Sequence, residues 1–140
     1  MRRLVTFLAQ NKLLSGLLLM WVAVQAYFLV TYPIAQRPMQ PISWDTFGYY
    51  LYLPATFIYR DLWHLGFAEP MMHKYNLAGF FYAARIGPEG NYVMNYSLGT
   101  AILYSPFFFI GHLWAKLFNY PADGFSAPYQ YSIFVGGVLY

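Results

Sequence analysis

The chain reads as a mainly α-helical, polytopic membrane protein. Its composition, its long apolar runs and a tyrosine-rich stretch with helical period lead to that fold class. Of its 140 residues, 59% are apolar, 23% aromatic and only 9% charged. A soluble domain carries about a quarter charged residues, so this chain is too poor in charge to cover a water-facing surface. With no cysteine, it offers no disulfide framework, zinc-thiolate site or thiol nucleophile. The net charge of +3 is small. Its basic residues are scattered rather than gathered in a run, so nucleic acid is not an expected partner.

The elements follow in order. Residues 1–12 carry Arg2, Arg3 and Lys12 and no acid, so the positive-inside rule makes them a cytoplasmic N-terminus. Residues 13–32, LLSGLLLMWVAVQAYFLVTY, hold no charge. Twenty residues rise about 30 Å as a helix, the thickness of a bilayer's hydrocarbon core. Val24-Gln25-Ala26 could pass for a signal cleavage site, but the apolar run continues through Tyr27, Phe28, Leu29 and Val30. A retained anchor is expected.

Residues 33–99 form a long extracytoplasmic loop with four basic residues, Arg37, Arg60, Lys74 and Arg85, against Asp45, Asp61, Glu69 and Glu89. That balance excludes a polybasic lipid-binding patch, and a loop this long suggests a folded element. Within it Asp45, Tyr49, Tyr52, Thr56 and Tyr59 recur at helical spacing, with Phe47, Tyr50, Leu51, Phe57 and Ile58 toward the other face. This predicts an amphipathic helix over about 45–60, lying in the membrane interface and kinked near Pro54. Ser43 or Asp45 is the expected cap. Gly87-Pro88-Glu89-Gly90 between β-prone runs predicts a short hairpin.

A second span is expected over 100–118, TAILYSPFFFIGHLWAKLF, with Pro106 tolerated inside it. Lys116 snorkels to the cytoplasmic headgroups and His112 faces a neighbouring helix or the interface. Residues 119–130 return the chain as a cytoplasmic loop. Residues 131–140, YSIFVGGVLY, start a third span too short to cross a bilayer. A chain ending inside such a run is expected to be a fragment.

Asp45 has two readings. As a cap it satisfies the helix N-terminus and the dipole there. As a general base at the membrane's outer face it takes a proton from an acceptor hydroxyl while a sugar leaves a lipid phosphate. The same carboxylate could bind a divalent metal or only orient the acceptor, so no cofactor is assigned. Phosphate would need cations, and Arg60, His73, Lys74 and Arg85 are the candidates on this loop, with Arg the better fork. His64, Glu69 and His73 match no metal-ligand spacing. No phosphate-cradling glycine loop, serine-hydrolase elbow or zincin motif occurs.

The order of a short basic N-terminus, one span, SWDTFGYYLYLPATFIYRDL, a large outer loop and NYSLGTAILYSPFFFIGHLWA resembles the amino-terminal part of the GT-C membrane glycosyltransferases. The likeness is to bacterial members similar to the protein mannosyltransferases and lipid A aminoarabinose transferases. Tyr96, Gly99, Pro106 and Phe107 carry it at the second span. Many relatives have paired acids in the first loop, whereas Asp45 stands beside Trp44 and Thr46.

The resemblance implies an inverting transferase using a polyprenyl-phosphate sugar at the cytoplasmic (inner) membrane. Asp45 would be the catalytic or orienting carboxylate and Arg60 and Arg85 the phosphate contacts. Lys74 and His73 would be further substrate-binding residues, and Tyr49 and Tyr52 part of the acceptor or lipid groove. Membrane lipids and the lipid-linked sugar would be the partners. The alternative is a non-catalytic membrane scaffold, assembly subunit or transporter fragment.

Overall fold

The computed structural model describes residues 10–31 and 40–140. The chain divides into two units, residues 1–37 and 38–140. In the first, α1 (Lys12–Thr31) is a helix over the stretch where the first span is expected, with no charge after Lys12 to give it a polar face. Arg2, Arg3 and Arg37 lie outside the described residues, as does the end of the first span at Tyr32.

The second unit opens with two short helices, α2 (Asp45–Tyr50) and α3 (Tyr52–Phe57). The bonds Leu51 N–H to Phe47 O and Ala55 N–H to Leu51 O carry the helical ladder across their junction. Pro54 offers no N–H to the Tyr50 carbonyl, which is why the helix breaks there. The two faces divide as the periodicity predicts. Asp45 and Thr56 are exposed and Tyr49 and Tyr52 half-buried, while Phe47, Tyr50 and Leu51 are buried. Phe57 departs from this, with its ring packed on Phe108 and Phe109 yet about half exposed.

Next comes α4 (Ala68–Tyr75), a helix inside the long loop that the local pattern does not predict. His73 and Lys74 in its last turn favour the negative end of its dipole, and Asn76 closes it in the left-handed conformation. The hairpin forms where the turn signal lies. Strand β1 (Ala84–Ile86) pairs antiparallel with β2 (Tyr92–Met94), Arg85 facing Val93 in register.

Helix α5 (Leu98–Leu117) is, among the described residues, the one helix long and apolar enough to cross a membrane. The apolar stretch of α1 counted on the same basis, Lys12–Tyr27, is shorter. One face of α5, Ala101, Phe108, Gly111 and Ala115, is buried within the unit. The remainder, with Ile102, Phe109, Ile110, Leu113 and Leu117, is apolar and exposed. Helix α6 (Ala127–Leu139) packs antiparallel to it, pairing Trp114 with Tyr131 and Phe107 with Tyr140. His112 Nδ1 lies 2.6 Å from the Tyr129 hydroxyl, so it faces the neighbouring helix. Lys116 is exposed in the last turn of α5.

The core centres on a residue of the α5–α6 connection. Phe125 is fully buried and touches the rings of Phe47, Tyr50, Phe67 and Tyr75. Its neighbour Gly124 has φ 90°, and a Cβ there would come within 2.9 Å of Pro54. Only glycine lets the connection approach α3 so closely.

Asp123 fastens the same turn. Its Oδ1 accepts the N–H groups of Phe125 and Ser126, and its Oδ2 accepts from Lys74 Nζ at 2.9 Å and from the Tyr75 hydroxyl. The Tyr59 hydroxyl donates to the Asp123 carbonyl. Residues 119–130 and 33–99, expected on opposite faces of the membrane, are thus hydrogen-bonded to one another. Helix α6 starts at Ala127 rather than near Tyr131, with Pro128 in its first turn.

Candidate functional site around Asp45

Asp45 is the first residue of α2, and neither of the expected caps forms. The N-cap position falls on Trp44, and no side chain caps the helix. The Asp45 carboxylate instead accepts a hydrogen bond at Oδ1 from the Tyr96 hydroxyl, 2.8 Å away, across 51 residues of chain. Its Oδ2 has no hydrogen-bond partner among the described residues. Negative charge remains favourable at this helix end, but the side chain is exposed and directed by a tyrosine.

Tyr96 owes its place to three neighbours. Its ring lies on Gly48, where an added Cβ would stand 2.3 Å from the ring. Tyr49 meets it edge-on at 4.7 Å. The Tyr52 hydroxyl donates to its backbone carbonyl at 2.7 Å. Burial, and then the bond to Asp45, push the Tyr96 hydroxyl above its ordinary pKa, so it stays protonated and donating at neutral pH. Tyr49 and Tyr52 are therefore part of the Asp45 cluster, holding the tyrosine that orients the carboxylate.

A wall of aromatic rings stands beside the carboxylate. Tyr82 stacks on Trp44 at 6.1 Å, and Phe80 meets both edge-on at 6.5 and 5.6 Å. The Tyr82 ring also meets Tyr96. The Tyr82 hydroxyl is buried with no hydrogen-bond partner, and burial pushes its ionisation well up, with Tyr96 and Asp45 adding to the effect. Trp44 has φ 49° and ψ −128°, a backbone conformation natural to glycine. For other residues such conformations cost about 1–3 kcal/mol. The Trp44 N–H, bonded to the Leu77 carbonyl at 3.1 Å, holds it there. One turn of chain earlier, the buried Ile42 N–H donates to Gln130 Oε1 at 2.8 Å and ties the segment to α6.

Behind this cluster, α3 and α5 bound an apolar cavity of about 480 Å³. Tyr52, Leu53, Phe57, Leu98, Ile102 and Phe109 line it, with Thr56 and Ser105 among its few polar groups. Its volume is that of a small-molecule site. Tyr52 belongs to both regions, with its ring on the cavity and its hydroxyl on Tyr96.

The basic candidates divide. Lys74 is bound to Asp123, which holds its pKa above the ordinary lysine value. Arg60, His73 and Arg85 are exposed and form no ion pair among the described residues. Arg85 sits on β1 with its side chain exposed. Arg60 follows α3 in a left-handed backbone conformation, φ 53°, and makes no hydrogen bond or ion pair with Asp45 among the described residues. His64 bonds locally, its Nδ1 3.5 Å from Asp61 Oδ1. The Gly66 and then the His64 N–H lower the Asp61 pKa. No group of three His, Asp or Glu residues converges as a metal site among the described residues.

Sequence reasoning missed Gly48 and the fastening carboxylate Asp123. A lone glycine inside a helical pattern signals a packing reason, and an aspartate two and three residues before free N–H groups signals a local turn. Compared with family models, with curated proteins and with solved structures, the chain matches none.

Proposed function

We propose that the chain is, or forms part of, a membrane glycosyltransferase of the GT-C type. It moves a sugar from a polyprenyl-phosphate carrier to an acceptor at the outer face of the cytoplasmic membrane. One observation carries this reading. An exposed carboxylate oriented by a tyrosine is linked, through Tyr96 and then Tyr52, to an apolar cavity that Tyr52 lines. The cavity suits the hydrocarbon of the carrier, and the carboxylate suits the acceptor.

In this mechanism the acceptor oxygen attacks the anomeric carbon and its proton passes to Asp45. The bond from that carbon to the phosphate oxygen breaks, and polyprenyl phosphate leaves with the electron pair. Configuration inverts because attack and departure are on opposite faces. Tyr96 keeps one carboxylate oxygen occupied, so Oδ2 receives the proton. Arg85, exposed on β1, is a cation assigned to the phosphate. Lys74 is occupied by Asp123, and Arg60, exposed after α3, is the second cation assigned to the phosphate. His73 is left as an exposed cation on α4 with no assigned contact.

The test is Asp45→Asn in membrane vesicles supplied with lipid-linked sugar. Loss of a general base lowers transfer by about 10²–10⁴-fold. The melting temperature of the extracted variant should barely move, because the carboxylate caps nothing. Wild-type transfer by Asp45→Asn would sink the assignment and leave the scaffold or subunit reading, in which the carboxylate serves only the helix dipole.

A further inference from the structure

We propose that the indole of Trp44 is the surface on which the carrier-linked sugar ring lies, beside the Asp45 carboxylate. The inference rests on the glycosyltransferase reading and adds the contact that recognises the sugar itself.

Trp44 is the residue before Asp45 and is 45% exposed, although packing of a ring this size favours burial. A backbone conformation natural to glycine holds a tryptophan there, and such strain persists where the surroundings impose it and function uses it. The Leu77 carbonyl imposes it through the Trp44 N–H, and Tyr82 stacks on the indole.

The neighbouring rings touch one another, with centroids between 5.6 and 6.5 Å. They make a wall, not a cage with room for a cation between faces, which disfavours a quaternary ammonium ligand. A sugar ring has one face of C–H groups and an edge of hydroxyls. The indole suits the face. The Asp45 Oδ2, which has no hydrogen-bond partner among the described residues, accepts from a hydroxyl.

The experiment uses the full chain in detergent with two substitutions. Trp44→Gly removes the ring and fits the observed backbone, while Trp44→Phe keeps a flat aromatic face. The probes are polyprenyl phosphates carrying mannose, glucose or aminoarabinose, with bare polyprenyl phosphate as reference, and Kd is measured for each. For the sugar that wild type binds best, Trp44→Gly should weaken binding by about two- to tenfold, the scale of one lost ring stack. Bare carrier should bind as before, Trp44→Phe should recover most of the affinity, and Trp44→Gly should melt no lower than wild type.

Equal weakening of loaded and bare carrier would make the indole a lipid contact and overturn the proposal. Unchanged binding of the loaded carrier by Trp44→Gly would overturn it as well. If Asp45→Asn abolishes transfer in that case, only the role of Trp44 has failed. If wild type binds no sugar-loaded carrier more tightly than bare carrier, the glycosyltransferase reading fails and this proposal with it.

Discussion

Asp45 and Asp123 each accept a hydrogen bond from a tyrosine hydroxyl, yet they do opposite work. Asp123 is 15% exposed, and its two oxygens accept from two backbone N–H groups, one ammonium and one hydroxyl. Every donor belongs to the fold, so the carboxylate joins α4 to the start of α6 and has little capacity left for a ligand. Asp45 is exposed, takes one donor and keeps one oxygen free. Two aspartates in one chain are thus separated by their number of partners and their burial. A saturated carboxylate holds structure together, and one that is oriented but unsaturated is available for chemistry.

The comparison can be broken most sharply by topology, where the effect is all-or-none. The chain has no cysteine, so single cysteines at His73 and Ala122 report without background. The Lys74–Asp123 bond requires both to react with an impermeant maleimide from the same side of the membrane. Labelling from opposite sides would mean that the joint does not exist in the membrane.

Removing the saturated carboxylate comes next. Asp123→Ala strands two N–H groups and frees Lys74 and Tyr75, and should destabilise the protein by about 2–4 kcal/mol in denaturant unfolding. An unfolding midpoint as small in its shift as that of Asp45→Asn would erase the contrast between the two sites.

Gly48→Ala has an intermediate effect. The methyl group displaces the Tyr96 ring, a strain of about 1–3 kcal/mol, and takes away the donor that orients Asp45. Tyr96→Phe keeps the ring and loses only its hydroxyl, so its stability should change by about 1 kcal/mol or less. Both variants should transfer sugar more slowly. Normal transfer by Tyr96→Phe would show that Asp45 needs no orienting partner.

The smallest effect lies at alkaline pH. Burial, and then the bond to Asp123, push the Tyr75 hydroxyl up to about 12, and the Asp123 bond raises Lys74 as well. Both groups titrate higher folded than unfolded. The stability they contribute is whole below an unfolded tyrosine pKa of about 10 and is lost as pH rises through the folded values. Thermal melts should therefore fall above about pH 10, and Tyr75→Phe should flatten part of that fall. An equal fall in Tyr75→Phe would assign the loss to other groups.

Much of the local structure was legible in the sequence. The spacing of Asp45, Tyr49, Tyr52 and Thr56 against Phe47, Tyr50 and Leu51 gave the faces of α2 and α3, because side-chain direction in a helix follows from backbone period alone. Pro54 marked their break, Gly87 to Gly90 marked the hairpin, and the apolar stretches 13–32 and 100–118 marked α1 and α5. Asp45, Tyr49 and Tyr52 were singled out together and do form one cluster. Arg60, on the same stretch, shares no hydrogen bond or ion pair with them among the described residues, and the helix that predicts its face stops at Phe57.

What the tertiary structure decided is which surface meets which. Within NYPADGFSAPYQ nothing marks Phe125 as the centre of a core, and the run reads as an ordinary connection. It becomes the core because Phe47, Tyr50, Phe67 and Tyr75 arrive from 50 to 78 residues away. Asp123 likewise becomes a fastening only when Lys74 and Tyr75 reach it, and Asp45 ceases to be a cap only when Tyr96 does. Local period and turn chemistry are carried by neighbouring residues and can be read in order. Partners brought together by the return of a distant segment depend on how the whole chain closes, and a local pattern carries no record of that.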